Sequence, residues 1–499
     1  MSQAYKTVQI STLMQQSGVK FGTSGARGLV TDMSDEVCYA YTLAFIQHLE
    51  HINDLNAGSS IAIAGDFRPS TPKILAAVGM AVRDSGYAPI FCGLIPTPAV
   101  ACYAISQHTP CIMVTGSHIP DDRNGIKFYK STGEILKEDE KNMCAQTVQI
   151  VCDYFDENGN AQTPYLLPSI TQDAYNMFVQ RYTDFFPANC FQGKSVAVYE
   201  HSTVARDMLG EILESLGAKV IRLARSEHFL PVDTEAIRTE DVQLAKQWAE
   251  TYDIDCIVSA DGDGDRPLIS DELGNWLRGD VAGILCAKYL KAQSIATPVS
   301  CNSAVEKSDY FEYITRTRIG SPFVIEAMNS ALQQGHSRVV GYEANGGFLT
   351  ASDICIDGRN LTALPTRDAI IVPLTILLMA SQKGMSIAEL LQTLPQRFTS
   401  SGRLKNFPTE LSEKKLSPLK SASIEKNIAA ASALFADMFG TIKHIDNTDG
   451  VRITFESEEV VHLRPSGNAP ELRAYNEASS SERAEAMNQQ CMEILASWQ

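Results

Sequence analysis

Three scarcities narrow the possibilities before any motif is read. Apolar runs are short: the longest, IIVPLTILLMA at 370–380, cannot span a bilayer and carries Pro373. The opening MSQAYKTVQISTLMQQ lacks the basic-then-apolar pattern of a secretion signal, so the chain is expected in the cytoplasm and off the membrane. Paired cysteine motifs are missing. The 12 cysteines include no CxxC, their closest spacing is Cys144 to Cys152, and several lie in apolar strands such as FCG and CIMV, so reduced and buried thiols are expected. Positive charge is also short: 42 Lys and Arg face 59 Asp and Glu, a formal net charge of −17. Such a chain repels nucleic acid and anionic membranes, and an anionic small molecule has to be drawn in by a local cluster of arginines.

What is present is enough chain for several cores. With 499 residues and 44% hydrophobic residues, three or four domains are expected. A strand-helix-strand rhythm recurs. IAIAGD at 61–66, the helical TPKILAAVGMAVRDSG, APIFCG and CIMV form one α/β unit. SVAVYE at 195–200, a helix near 203–216, KVIRLA, a helix near 234–251 and CIVSA form a second. A third begins near GDVAGILCAKYLKA and ends with RVVGY. The three read as related domains of divergent sequence, since no fixed repeat period is visible. The lysine- and serine-rich LSEKKLSPLKSAS at 411–423 reads as a flexible lead-in to a smaller α+β domain, in which VRITFE, EVVHLRP and ELRAYNEA are antiparallel strands and a final helix starts near 480.

A polar loop leaves the carboxyl end of the last strand in each α/β unit, where open α/β sheets bind ligands. After CIMV comes TGSHIPDDRNGIKFY, which sets Ser117 and His118 in a turn followed by Asn124, Gly125 and Lys127, the pattern of a phosphorylatable nucleophile loop. A lone turn serine would mean little. After CIVSA comes DGDGDRP, with Asp261, Asp263 and Asp265 at alternate positions. Carboxylates forced together repel unless a hard cation lies between them, and oxygen-only ligands favour magnesium over zinc. A calcium loop is disfavoured by the strand lead-in and by Arg266 where such a loop needs glycine. An aspartyl-phosphate phosphatase is a further reading, although Asp265 occupies a place where those enzymes usually carry Thr or Val. After RVVGY, Glu343 and Asn345 stand two residues apart, as a pair that hydrogen-bonds vicinal sugar hydroxyls does. In the last domain RPSGNAPELR gathers Arg464, Ser466, Gly467, Asn468 and Arg473 into a phosphate cradle.

These loops, with FGTSGARG at 21–28, resemble in order the motifs of the α-D-phosphohexomutases, and the resemblance covers nearly the whole chain. It implies three related α/β domains with mixed sheets plus a smaller C-terminal domain around a central cleft, with divisions at 1–160, 161–276, 277–397 and 398–499. It implies a Mg2+ enzyme in which phosphorylated Ser117 exchanges phosphoryl groups with hexose phosphates, and a hexose 1,6-bisphosphate as intermediate and activator. In that scheme Ser117, Asp261, Asp263 and Asp265 hold the metal. Arg27, Lys127 and Arg266 surround the transferring phosphoryl group, and His118 adds a hydrogen bond to it. Glu343 and Asn345 take the sugar, and the 464–473 loop takes the other phosphate. Phosphoserine carries roughly −1.5 to −2 charges, so cations must gather there. Lys127, desolvated beside them, is expected to have a depressed pKa and to serve as acid or base.

The sequence also departs from the family pattern. Some members place a serine and then an acid/base histidine in the sugar loop, where this chain has Asn345 and Gly347. Ile119 replaces a common Asn, and Asn-Ala stands where Thr-Glu is frequent in the phosphate loop. The TGSHIP and GNAP variants most resemble the bacterial phosphomannomutase branch. Phosphoglucomutase, phosphoglucosamine mutase and a catalytically inactive sugar-phosphate-binding paralogue are the alternatives. Oligomeric state is not legible.

Overall fold

The computed structural model describes residues 4–22, 25–466 and 470–498. Three sheets share one topology. In the first, Ser60–Gly65 is flanked in parallel by Ala88–Leu94 and Cys111–Val114, and Arg123–Lys130 returns antiparallel beside Cys111–Val114. The second repeats this order with Ser195–His201, Lys219–Arg225, Cys256–Ala260 and Pro267–Ile269. The third repeats it with Ser294–Pro298, Tyr313–Thr317, Val339–Tyr342 and Phe348–Thr350. The Ser117, Asp261 and Glu343 loops are thus equivalent: each joins the third strand to the antiparallel fourth. The first sheet continues past Arg123–Lys130 with Ala26–Leu29 and Lys20–Phe21, which brings Arg27 opposite Gly125.

The central strands Ser60–Gly65, Ser195–His201 and Ser294–Pro298 are buried almost throughout because both of their faces are covered. Successive side chains alternate between faces, so Ile61 and Ile63 enter a core under helices Asp35–His51 and Thr71–Asp84 while Ala62 and Ala64 enter another. That second core takes in Val196, Val198, Ile295, Val340 and Tyr342 from the other two sheets and runs on into helix Ile371–Lys383. Three α/β units are therefore welded by shared apolar packing. Pro373 is tolerated in the first turn of its helix, where backbone N–H groups have no intrahelical partner. No helix of the described residues is long and apolar enough to cross a membrane.

The C-terminal domain is a five-stranded antiparallel sheet in the order Phe398–Lys405, Glu471–Ala478, Val460–Pro465, Val451–Phe455 and Ile442–Asp446. It has its own core, which runs from Phe407 to Trp498. It meets the rest of the molecule through polar contacts: Arg397 Nε donates to Glu477 Oε1 (2.6 Å), Ser303 N to Glu477 Oε2 (3.1 Å) and Ile319 N to Asp449 Oδ2 (2.9 Å).

Several expected boundaries move. The stretch 411–423 is ordered structure: helix Thr409–Leu416 and the 3-10 turn Ser417–Leu419 after it pack Leu416 and Leu419 fully into the domain core, and Ser423 caps helix Ile424–Phe439. Its lysines lie on the outer side of an amphipathic pattern too short to stand out. Strands Phe398–Lys405 and Ile442–Asp446 were hidden by their polar content. The helix expected near 234–251 begins only at Thr239, because Asp233 Oδ1 accepts from Glu235 N and Ala236 N and turns the chain into a loop. The helix expected near 203–216 is Arg206–Ser215, and the last helix is Ser481–Ala496.

Two buried histidines make the stability sensitive to acid. His201 Nε2 donates to Ala260 O (2.8 Å) and His462 Nε2 to Asp449 O (2.7 Å), while both Nδ1 atoms are buried with no acceptor beside them. Burial holds each imidazole down to about 4. In the unfolded chain histidine takes its proton near about 6.5, so the contribution is complete above that value and is lost as pH falls toward the folded value, roughly 2 kcal/mol per histidine by pH ~5. Denaturant midpoints at neutral and mildly acid pH should show this loss, and His462→Gln should shrink it. An equal acid shift in the variant would contradict the assignment.

Candidate active site

The serine loop is held from behind by a buried arginine. Asp66, at the end of strand Ser60–Gly65, accepts from Thr115 Oγ1 (2.7 Å), Thr71 Oγ1 (2.7 Å) and Arg68 Nε (3.1 Å). The Arg68 side chain is fully buried. Its remaining donors reach four backbone carbonyls of the loop: Ser117 (2.8 Å), Ile119 (2.6 Å), Pro120 (2.7 Å) and Arg123 (3.0 Å). The guanidinium also stacks 4.1 Å from the Phe229 ring centroid. Gly116 is required by this packing, since a Cβ there would lie 2.6 Å from Arg68 Cζ. So clasped, the loop keeps Ser117 at φ 56°, a left-handed conformation that a non-glycine residue holds only where its surroundings impose it. The strain aims the hydroxyl: Ser117 Oγ donates to Asp261 Oδ2 (2.7 Å).

The acidic loop meets it from the second sheet. Asp261 Oδ1 accepts from Asp265 N (3.2 Å) and Arg266 N (3.1 Å), which folds the loop back on itself with Gly264 at φ 68°. All three carboxylates are buried, and each offers an oxygen within 4.8 Å of the others. Burial and the charges of Asp263 and Asp265 push the Asp261 carboxyl well above the usual range. Oδ1 of Asp263 and of Asp265 is buried without a hydrogen-bond partner. Convergent carboxylate oxygens with unused lone pairs fit a hard divalent cation.

Four cations stand around this triad. Lys127 lies opposite Met113 in the sheet, which carries Nζ to 2.6 Å from both Asp263 Oδ2 and Asp265 Oδ2. Burial alone would lower its pKa, but the two aspartates reverse the effect and raise it. This corrects the expected depression: the adjacent carboxylates outweigh the neighbouring cations. Arg266 Nη1 donates to His118 Nδ1 (2.8 Å), so that the imidazole proton sits on Nε2, and burial with the Arg266 charge lowers His118 to about 3. Arg27 is half-buried with its Nε unpartnered, and burial followed by the charge of Arg266 lowers it to about 10. The fourth cation, Arg367, was not foreseen. Its Nε donates to Glu343 Oε2 (2.5 Å) and its Nη1 lies 3.7 Å from Asp265 Oδ2.

The Glu343 loop joins the cluster through that arginine. Asn345 Oδ1 accepts from Gly347 N (2.9 Å) and its carbonyl from Thr234 Oγ1 (2.6 Å), so the 231–238 loop of the second unit braces the third. Of the expected residues, Ser117, His118, Lys127, Arg27, Arg266, Asp261, Asp263, Asp265 and Glu343 form one connected cluster, with Asn345 beside it. Arg464, Ser466 and Arg473 lie in a second cluster on the C-terminal sheet, where Arg464 faces Arg473 in register and Arg403 follows on the next strand. Asp449 Oδ1 lies 3.0 Å from Arg464 Nε, and Arg473 Nη2 donates to Glu471 Oε2 (3.1 Å). Gly467 and Asn468 lie outside the described residues.

The comparisons with known proteins match this geometry over almost all of the chain. Models of the phosphoglucomutase/phosphomannomutase family cover residues 18–150 (alpha/beta/alpha domain I), 175–274 (domain II), 278–398 (domain III) and 410–494 (C-terminal domain). The phosphomannomutase of Salmonella muenchen is 42% identical over 493 residues, covering 97% of this chain and 96% of its own. The phosphomannomutase of Sinorhizobium fredii (strain NBRC 101917 / NGR234) is 40% identical over 480 residues, covering 96% and 99%. A crystal structure of a phosphoglucomutase/phosphomannomutase family protein from Burkholderia thailandensis superposes with a TM-score of 0.71 at 18% identity, over 95% of this chain and 97% of that one. With the Ser117 loop, the aspartate triad and the Glu343 loop on three equivalent hairpins, the chain belongs to the phosphoglucomutase/phosphomannomutase family.

Proposed function

We propose that the protein is a phosphomannomutase, interconverting mannose 6-phosphate and mannose 1-phosphate through phosphorylated Ser117 and a hexose 1,6-bisphosphate. The observation that carries this is the strained Ser117 hydroxyl, 2.7 Å from Asp261 and framed by the cations of the cleft. Mannose as the sugar is supported by the names of the relatives at 42% and 40% identity.

In the forward step a sugar hydroxyl oxygen attacks the phosphorus of phosphoserine. The new P–O(sugar) bond forms as the P–O(Ser117) bond breaks, and the bisphosphate then turns end for end and returns its other phosphoryl group to Ser117. Such transfer passes through a loose transition state whose charge spreads over equatorial oxygens, so positioning and fixed charge account for most of the rate. Lys127 Nζ holds its protons and is placed to give one to the Ser117 oxygen leaving phosphorus, and the proton lost by the attacking hydroxyl returns Lys127 to its starting charge, while Arg27 and Arg266 face the equatorial oxygens and His118 Nε2–H donates to the phosphate. Asp261, Asp263 and Asp265 would hold Mg2+ together with a Ser117 oxygen, and the ion would supply charge neutralisation at the transferring group. Arg464, Ser466, Asn468 and Arg473 take the nonreacting phosphate. Their domain has a core of its own and is tied to the body by hydrogen bonds such as those to Glu477, so it can close over the sugar without opening that core and exclude water that would hydrolyse phosphoserine. The four units are taken as 1–160, 161–276, 277–397 and 398–499, and the protein is placed in the cytoplasm.

Ser117→Ala should lower turnover by roughly 10³-fold or more while leaving hexose phosphate binding nearly intact. Intact-mass measurement should find one phosphate on the active protein and none on the variant. Phosphate mapped to another residue, or near-normal turnover, would sink the assignment and favour an inactive binding paralogue.

Chelator should abolish activity and Mg2+ restore it, and Asp263→Asn should raise the magnesium concentration needed for half-activation by at least about tenfold, near 1.4 kcal/mol. Full activity in excess chelator would refute the metal site.

Because the ring must bind in both orientations, the 2-position is read loosely. Mannose 1-phosphate should be preferred over glucose 1-phosphate by about 1 to 3 kcal/mol in kcat/KM. Clear preference for glucosamine 1-phosphate under identical magnesium would overturn the mannose assignment while leaving the phosphoryl-transfer scheme standing.

A further inference from the structure

Gly347 and Arg367 occupy one site between them. Related sugar loops can carry a histidine where this chain has Gly347, and nothing in the backbone demands a glycine there, since its φ lies outside the left-handed range. What demands it is a neighbour. A Cβ built on Gly347 would lie 2.5 Å from Arg367 Cδ, 2.8 Å from its Cγ and 3.1 Å from its Nε. The stem of Arg367 therefore fills the volume that a side chain at 347 would enter.

That stem has little room to retreat. Arg367 is buried, and the residues beside it are fixed: Thr366 Oγ1 donates to Glu134 Oε1 (2.8 Å) and Asp368 N to Phe348 O (2.8 Å). Asp368 in turn accepts from Tyr182 Oη at both oxygens (2.6 Å) and from Ile370 N (3.0 Å) at the start of the helix. Held this way, the guanidinium bonds Glu343 Oε2 at 2.5 Å and comes within 3.7 Å of Asp265 Oδ2, linking the sugar loop to the acidic loop. An imidazole in this volume would be a proton carrier. A guanidinium donates only and never releases its proton, so the exchange replaces a titrating group with a fixed cation and a rigid hydrogen-bond fork.

We propose that Arg367 is a positioning residue of the sugar loop, occupying the space vacated at Gly347 and orienting the Glu343 carboxylate toward the hexose. The proposal rests on the mutase assignment and names a specificity-determining contact within it. Acting through Glu343, Arg367 sets the affinity for sugar phosphates, and its removal is felt in KM before it is felt in the phosphoserine.

The test is a set of exchanges read by kcat, KM for mannose 1-phosphate and the Ser117 phosphate content by intact mass. Arg367→Ala should raise KM at least tenfold with the phosphate content unchanged, and Arg367→Lys should recover part of the loss. The double variant Glu343→Gln with Arg367→Ala should be no worse than the weaker single variant. Because Arg367→Ala strands buried carboxylates and can compromise folding, Gly347→Ala provides the second arm: alone it should also raise KM by crowding the arginine stem, and combined with Arg367→Ala it should add nothing further. Gly347→His with Arg367→Ala should be more active than Arg367→Ala alone. Full activity of Gly347→Ala, additive losses for Glu343 and Arg367, or loss of the Ser117 phosphate in Arg367→Ala would overturn the proposal while the mutase assignment stood. A wild-type protein inactive on every hexose phosphate would sink both.

Discussion

Four carboxylates, those of Asp261, Asp263, Asp265 and Glu343, are buried in one cluster, and the fold brings a cation from a different segment to each part of it. An unpaired buried charge costs several kcal/mol, so the loops can converge only if their countercharges converge with them. Lys127 comes from the antiparallel strand of the first sheet, Arg266 from the acidic loop itself, Arg367 from the lead-in to a helix of the third unit and Arg27 from the outer strand that faces Gly125. Arrangement of three domains and neutralisation of one site are therefore a single problem. Moving any of the sheets would strip a carboxylate of its partner.

The shared strand order explains how three divergent sequences meet this requirement. Each functional loop is a hairpin between a buried parallel strand and its antiparallel neighbour, so its length is short and its ends are fixed. The apolar core running through all three units leaves little freedom for one loop to drift from another. The C-terminal domain is joined differently. Its core is its own, and hydrogen bonds from Arg397 and Ile319 to Glu477 and Asp449 tie it to the body.

Ser117, the aspartate triad and Glu343 were legible in the sequence because each follows a short apolar run that breaks into glycines, a pattern set by the physics of strand ends. Lys127 was legible as a residue, but its protonation was read with the wrong sign, since the sequence gives no hint that Nζ lies 2.6 Å from two aspartates 136 and 138 residues away. Arg68 had a signal in the GDFRP turn after IAIAGD, but its contacts to four carbonyls depend on where the loop 50 residues later folds back. Arg367 had none: it follows a short stretch of mixed composition, LTALPT, and only the missing side chain at Gly347 marks its place. The polar edge strands of the last domain escaped for a related reason, because half-buried strands of mixed composition show no clean alternation.

Arg464, Arg473 and Arg403 stand side by side on adjacent strands of one sheet. Like charges at that spacing push the strands apart, and Asp449 and Glu471 offset only part of the repulsion. A bound phosphate dianion would then act as a keystone as well as a handle, drawing together the sheet that grips it. On the proposed assignment the last domain would be an incomplete structure between turnovers, and the spectator phosphate of the substrate would be its missing piece.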